Sequence, residues 1–106
     1  FTKRVSYHPA VDISTPVGTQ IKSTAGGVVV DAGYDGDYGN VVRIDHGNGT
    51  VTCYAHMARM SVRKGQRVER GAVLGTVGMT GRTTGPHLHY EVRIKGKPVD
   101  PAKYLD

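Results

Sequence analysis

The chain has 106 residues, enough for one hydrophobic core and too few for two. Fifteen glycines, five prolines and no tryptophan suit short strands joined by tight turns better than a helical bundle. Fourteen Lys and Arg against nine Asp and Glu leave a formal charge of +5, which favours an acidic partner or surface. The basic residues are scattered over Lys3, Arg4, Lys64, Arg67, Arg70, Arg82, Lys95 and Lys97, without a dense run or a recognition-helix pattern, so nucleic acid is not the expected partner. No apolar stretch reaches bilayer length and no secretory signal is present, so this domain is expected to make no membrane contact. The abrupt start at Phe1 reads as a single domain, 1–106, excised from a longer chain that carries any signal or anchor.

In chain order, His8-Pro9-Ala10-Val11-Asp12 comes first. Pro9 disfavours a helical conformation at His8, and an extended segment puts residues 8 and 12 on one side. Alternating or β-branched runs follow at 19–23, 27–32, 40–45, 50–57, 73–77 and 87–94. Turn signals separate them, among them Thr15-Pro16-Val17-Gly18, Asp35-Gly36-Asp37-Tyr38-Gly39-Asn40, His46-Gly47-Asn48-Gly49 and Lys95-Gly96-Lys97-Pro98. No helical period is sustained, although residues 101–105 could make one closing turn. The expected fold is all-β.

Within 50–57, alternation puts Thr52, Tyr54 and His56 on one face and Val51, Cys53, Ala55 and Met57 on the other. Cys53 and His56 then point to opposite sides, which argues against a Cys–His nucleophilic pair. Cys53, the only cysteine, forms no internal disulfide and is expected to be a small buried hydrophobe.

The chemistry concentrates in His87-Leu88-His89-Tyr90-Glu91-Val92, behind the turn-rich Gly81-Arg82-Thr83-Thr84-Gly85-Pro86. A strand points residues i and i+2 to the same side, so His87 and His89 can converge on one point. With His8 and Asp12 they make three or four N and O donors of the kind zinc accepts. A lone His8 is ordinarily a surface or turn histidine and a lone Asp12 a turn cap, but two correctly spaced donor pairs seldom arise by chance. There is no His-Glu-x-x-His helix, so histidines must replace the usual glutamate base. His56 has equal claims to packing and to function, and His46, in a glycine-rich turn, is assigned to structure. Glu91 shares parity with both histidines and is a candidate for orienting one of them from behind, beside a plain cross-strand role.

His8-x-x-x-Asp12, Tyr54-Ala55-His56-Met57 and Gly85-Pro86-His87-Leu88-His89-Tyr90-Glu91-Val92 resemble the three successive motifs of the lysostaphin-type, or LytM-type, zinc endopeptidases of bacterial peptidoglycan. The likeness extends from about Tyr7 to Leu105 and includes Tyr38-Gly39-Asn40-Val41-Val42-Arg43-Ile44-Asp45-His46-Gly47. It implies one Zn2+ held by His8, Asp12 and His89, with His56 and His87 as catalytic histidines whose roles as base and oxyanion stabiliser are interchangeable. It also implies a mainly antiparallel β-sandwich or barrel-like domain with an open groove carrying the zinc site, a peptidoglycan peptide substrate and an extracellular or periplasmic location. Ala10 stands where family members often carry glycine, which touches local geometry and no ligand.

Residues 62–78 also resemble the hammerhead of biotinyl and lipoyl carrier domains. They lack the lysine in a Met-Lys-Met or Asp-Lys turn that a carrier presents, so the likeness reads as a shared β element. The rival to catalysis is a non-catalytic peptidoglycan-binding or amidase-activator module of the same fold, which would be expected to have lost one or more of the five positions.

Overall fold

The computed structural model describes residues 2–5, 10–81 and 85–99, and most of them lie in ten strands. In order these are β1 (Thr2–Val5), β2 (Ala10–Ser14), β3 (Gln20–Lys22), β4 (Gly27–Tyr34), β5 (Asn40–Gly47), β6 (Thr50–Met60), β7 (Arg67–Val68), β8 (Val73–Val77), β9 (His87–Ile94) and β10 (Lys97–Val99). A single 3-10 turn, Gly36–Tyr38, joins β4 to β5. Two expected runs, 73–77 and 87–94, appear with those bounds, while β4, β5 and β6 outrun the stretches read for them. Strands β1, β7 and β10 were not expected. His8 and the closing turn at 101–105 lie outside the described residues.

All pairings are antiparallel, and the main path runs β1-β2-β9-β6-β5-β4-β7. β10 adds to β9, and β8 bridges β3 to the far end of β6. The sheet curls on itself, because one core draws Ile21 from β3, Val29 from β4, Val42 and Ile44 from β5, Tyr54 and Met57 from β6, Leu74 and Val77 from β8, and Tyr90 and Val92 from β9. Two tyrosines bring hydroxyls into this core, and both are satisfied through Thr24: its Oγ1 lies 3.1 Å from the Tyr54 hydroxyl and 3.0 Å from that of Tyr90. His46 extends the network, with Nε2 2.7 Å from Thr52 Oγ1 and Nδ1 2.7 Å from the Gly26 carbonyl. That is the structural role expected of it.

Residues directly opposite in the ladder share a face. Val42, Tyr54 and Tyr90 are aligned across β5, β6 and β9 on the core side, whereas Arg43, Cys53 and Glu91 are aligned on the other. His89 lies between Ala55 of β6 and Asp12 of β2, and all three belong to this second face. The alternation breaks at His56. Against β5, Tyr54 pairs with Val42 and Met57 with Asn40, so β6 spends three steps where β5 spends two. His56 takes the extra place with φ of 60°, in the left-handed region, at a cost of about 1–3 kcal/mol for a non-glycine residue. Met57 returns to the core, and His56 turns to the side of Ala55 and His89. Simple parity placed His56 with Tyr54, and the bulge reverses that assignment.

Candidate active site

Four of the five residues singled out from the sequence are described, and the fold brings all four together. Ladder pairing sets Asp12 opposite His89 across 77 positions of chain, with Asp12 Oδ1 2.8 Å from His89 Nδ1. His87, two residues back on β9, places Nε2 3.6 Å from the same oxygen. The bulged His56 completes the cluster, its ring centroid 4.9 Å from that of His87 and 5.8 Å from that of His89.

Backbone carbonyls orient two of the rings. His56 Nδ1 donates to the Thr80 carbonyl at 2.7 Å, and His87 Nδ1 donates to the Gly85 carbonyl at 2.9 Å. A carbonyl only accepts, so in each neutral ring the proton sits on Nδ1 and Nε2 is the basic nitrogen. Burial lowers the His56 pKa, helped by the neighbouring His87 and His89, although the Thr80 carbonyl and Asp12 favour the charged form. His56 is therefore neutral at neutral pH and able to accept a proton.

Thr80 is itself fastened. Its hydroxyl donates to the Met57 carbonyl at 2.6 Å and accepts from Asn40 N–H at 3.0 Å. The loop containing it lies directly on the 3-10 turn. At Gly39, φ 67°, a Cβ would collide with the Thr80 and Gly81 backbone, and at Gly81, φ 74°, one would collide with Gly39. Neither Thr80 nor Tyr38, described next, was singled out from the sequence. Both act through contacts between distant loops, and no local pattern marks such contacts.

His89 is enclosed by acceptors. Opposite the Asp12 contact, Nε2 donates to Glu91 Oε2 at 2.6 Å. The same oxygen accepts from the Tyr38 hydroxyl at 2.9 Å, and Glu91 Oε1 accepts from Arg93 Nη2 at 3.1 Å. Burial of the Glu91 carboxyl raises its pKa, but the hydrogen bonds from His89 and Tyr38 outweigh it and hold the group down at about 2. For His89, burial disfavours the charged ring, and Glu91 and Asp12 together still raise its pKa. Cys53, below Glu91 in the ladder, packs with Val41, Ala55 and Tyr38, and burial next to the Glu91 charge pushes its thiol up to about 12. It is the inert hydrophobe expected.

Asp12 and His89 are an oxygen and a nitrogen donor facing each other edge to edge. Zinc bonds of 2.0–2.2 Å in a tetrahedral arrangement separate two such ligands by about 3.3 Å, so the pair would open by roughly half an ångström to admit the ion. The donor chemistry fits zinc, and the second nitrogen of His89 is already bonded to a carboxylate, as ligating histidines commonly are. Among the described residues no set of three His, Cys, Asp or Glu is arranged to hold a metal, and His8, the other ligand expected from the sequence, lies outside them. A cavity of about 260 Å³ beside Thr24, His46 and Thr52 shares no lining residue with the cluster.

Comparison with known proteins agrees with this picture. The model of the family described as Peptidase family M23 matches residues 6–101. The DD-carboxypeptidase/endopeptidase Mpg of Neisseria meningitidis is 50% identical over 94 residues, which make up 89% of this chain and 22% of that relative. Thus the chain spans about a fifth of that relative's length. A zinc-containing peptidase from Vibrio cholerae superposes with a TM-score of 0.84 at 40% identity, covering 87% of this chain and 28% of that one. The catalytic domain of lysostaphin, an antimicrobial peptidase from Staphylococcus simulans, superposes with a TM-score of 0.85 at 29% identity, covering 92% of this chain and 77% of that one.

Proposed function

This chain belongs to peptidase family M23, and from that premise we propose that residues 1–106 form a single zinc-dependent endopeptidase domain that hydrolyses peptide cross-links or stem peptides of bacterial peptidoglycan. One observation carries the reading: Asp12, His56, His87 and His89, which come from three strands, meet on one face of the sheet with the basic nitrogens of His56 and His87 set by backbone carbonyls. A structural cluster would have no need of such an arrangement. The names of the Neisseria and Vibrio relatives, an endopeptidase and a zinc-containing peptidase, support the same activity.

His8, Asp12 and His89 are the residues that would hold about one zinc per chain. When bound, zinc supplies the Lewis acidity that polarises a scissile carbonyl and brings the pKa of water to ~7 in well-studied hydrolases. His56, neutral and presenting Nε2, accepts the proton of the attacking water, and His87 stabilises the developing oxyanion, or the two exchange these tasks. Both are held by backbone hydrogen bonds before substrate arrives, so little reorganisation is required when charge develops. The +5 charge suits an anionic wall, and the substrate class points to a periplasmic or extracellular location.

The test is digestion of purified cell walls of glycine-bridged and of directly cross-linked chemistry by the zinc-loaded protein, with product masses determined. New amino and carboxyl termini at a peptide bond, abolished by a strong chelator, are expected. Walls that bind the protein and remain intact would replace the catalytic reading with that of a binding module.

A further inference from the structure

Glu91 is a carboxylate with little access to solvent, 7% exposed, at a position where the ladder does not call for a charge. Its cross-strand neighbours are Cys53 on β6 and Ala10 on β2, so sheet pairing supplies it with no ionic partner. Arg93 does not account for it either: that side chain is 44% exposed and reaches only Oε1, at 3.1 Å. The short contacts are on Oε2, which receives His89 Nε2 at 2.6 Å and the Tyr38 hydroxyl at 2.9 Å. Tyr38 is fixed in turn, with the Arg43 guanidinium 5.3 Å from its ring centroid and its ring 5.8 Å from that of His89. Arg43 is anchored by Asp31 at 3.0 Å and Asp35 at 2.9 Å.

An imidazole has two nitrogens pointing in divergent directions, and here one faces Asp12 while the other faces Glu91. A metal ion shared with Asp12 must take Nδ1, which requires the proton of the neutral ring to stay on Nε2. An acceptor behind the ring favours that tautomer before the ion arrives. We propose that Glu91 is a positioning residue that, held by Tyr38 and Arg93, accepts the Nε2–H of His89 and thereby presents Nδ1 of that ring beside Asp12 for the metal. The proposal rests on the reading of His89 as a zinc ligand. Rotation of the His89 ring is restrained by the same bond, so the donor is aimed before the ion arrives, and loss of such a partner typically weakens metal binding about 10–100-fold.

The experiment measures zinc affinity by competition with a chromophoric chelator and records the ring 15N shifts of His89 in the zinc-loaded protein. Wild type, Glu91→Ala, Glu91→Gln, Tyr38→Phe and His89→Ala are compared. Wild type should show a protonated Nε2 and a metallated Nδ1. Zinc affinity should fall about 10–100-fold in Glu91→Ala. Glu91→Gln, whose amide oxygen still accepts the bond, should recover part of that loss, and Tyr38→Phe should show a smaller one. A wild-type ring metallated at Nε2 would overturn the proposal without recourse to any variant. So would unchanged zinc affinity in both Glu91 variants, or a loss in Glu91→Gln as complete as that in His89→Ala, which would make Glu91 a ligand. If His89→Ala binds zinc as wild type does, the underlying ligand assignment fails instead.

Discussion

Strands β6 and β9 carry two faces with opposite requirements. On one side Tyr54, Tyr90 and Val92 are at most 1% exposed and pack into a core that also draws on β3, β4, β5 and β8. On the other, Ala55, His89 and Glu91 alternate with them and meet Asp12, Tyr38, Arg93 and the bulged His56. The core face needs volume and shape, and its few hydroxyls satisfy one another. The polar face needs direction, because its bonds each name a particular nitrogen or oxygen. Substitutions on the first should therefore be read in stability and substitutions on the second in chemistry.

Removing the proposed zinc ligand is the strongest way to break this division. His89→Ala should lose zinc affinity and turnover together, while circular dichroism shows the sheet intact. Metal content by atomic emission beside initial rates on a cross-linked peptide checks it. A zinc-replete His89→Ala with zinc-free His87→Ala would mean that the two histidines are reversed.

His56→Ala and His87→Ala come next. Each should keep substantial zinc and lose turnover by about a hundredfold or more, the usual consequence of removing an acid-base or oxyanion partner. The same two measurements, taken on one sample, separate these histidines from His89.

A subtler break reaches the polar face without touching a histidine. Gly39→Ala places a methyl against the Thr80 backbone, in a conformation that already disfavours side chains, and Thr80 carries the carbonyl that orients His56. Turnover should fall severalfold at unchanged zinc content, with a lowered Tm. A variant that loses stability and keeps full turnover per folded molecule would show that His56 is oriented by something other than this loop.

On the core face, Val92→Ala should cost about 2 kcal/mol of unfolding free energy, by lost burial and the cavity left behind, and leave kcat within a factor of two or so well below Tm. Urea unfolding with and without zinc checks the first figure. The smallest effect is expected at Cys53, which lies on the polar side and behaves as core. With its pKa at about 12, far above that of an ordinary thiol, the group stays neutral up to pH 9, and the buried native protein should resist alkylation until denaturant is added. Rapid labelling at pH 8 would show that this side is more open than the packing of Val41, Cys53 and Ala55 indicates.

Much of the site was legible because strand alternation is a local property. His87 and His89 share a face for the same reason that Tyr90 and Val92 share the opposite one, and the runs 73–77 and 87–94 could be bounded from their own residues and flanking turns. Glu91 could likewise be placed behind His89 by counting. His56 could not. Its expected side was wrong, since a bulge depends on how β6 pairs with β5 and β8, and the side chains of 50–57 give no sign of the extra step. Strand β7, two residues long, exists only as a partner for β4.

The sequence by itself determined the all-β class, the His-x-His geometry and the zinc-type donor chemistry, because alternation and donor identity are written in residues close together in the chain. Tertiary structure alone decided that Asp12 lies against Nδ1 of His89, that Tyr38 reaches Glu91 and that His56 turns to join them. These depend on strand order, a bulge and a contact between loops, which arise from pairings between residues distant in sequence and carry no local signature.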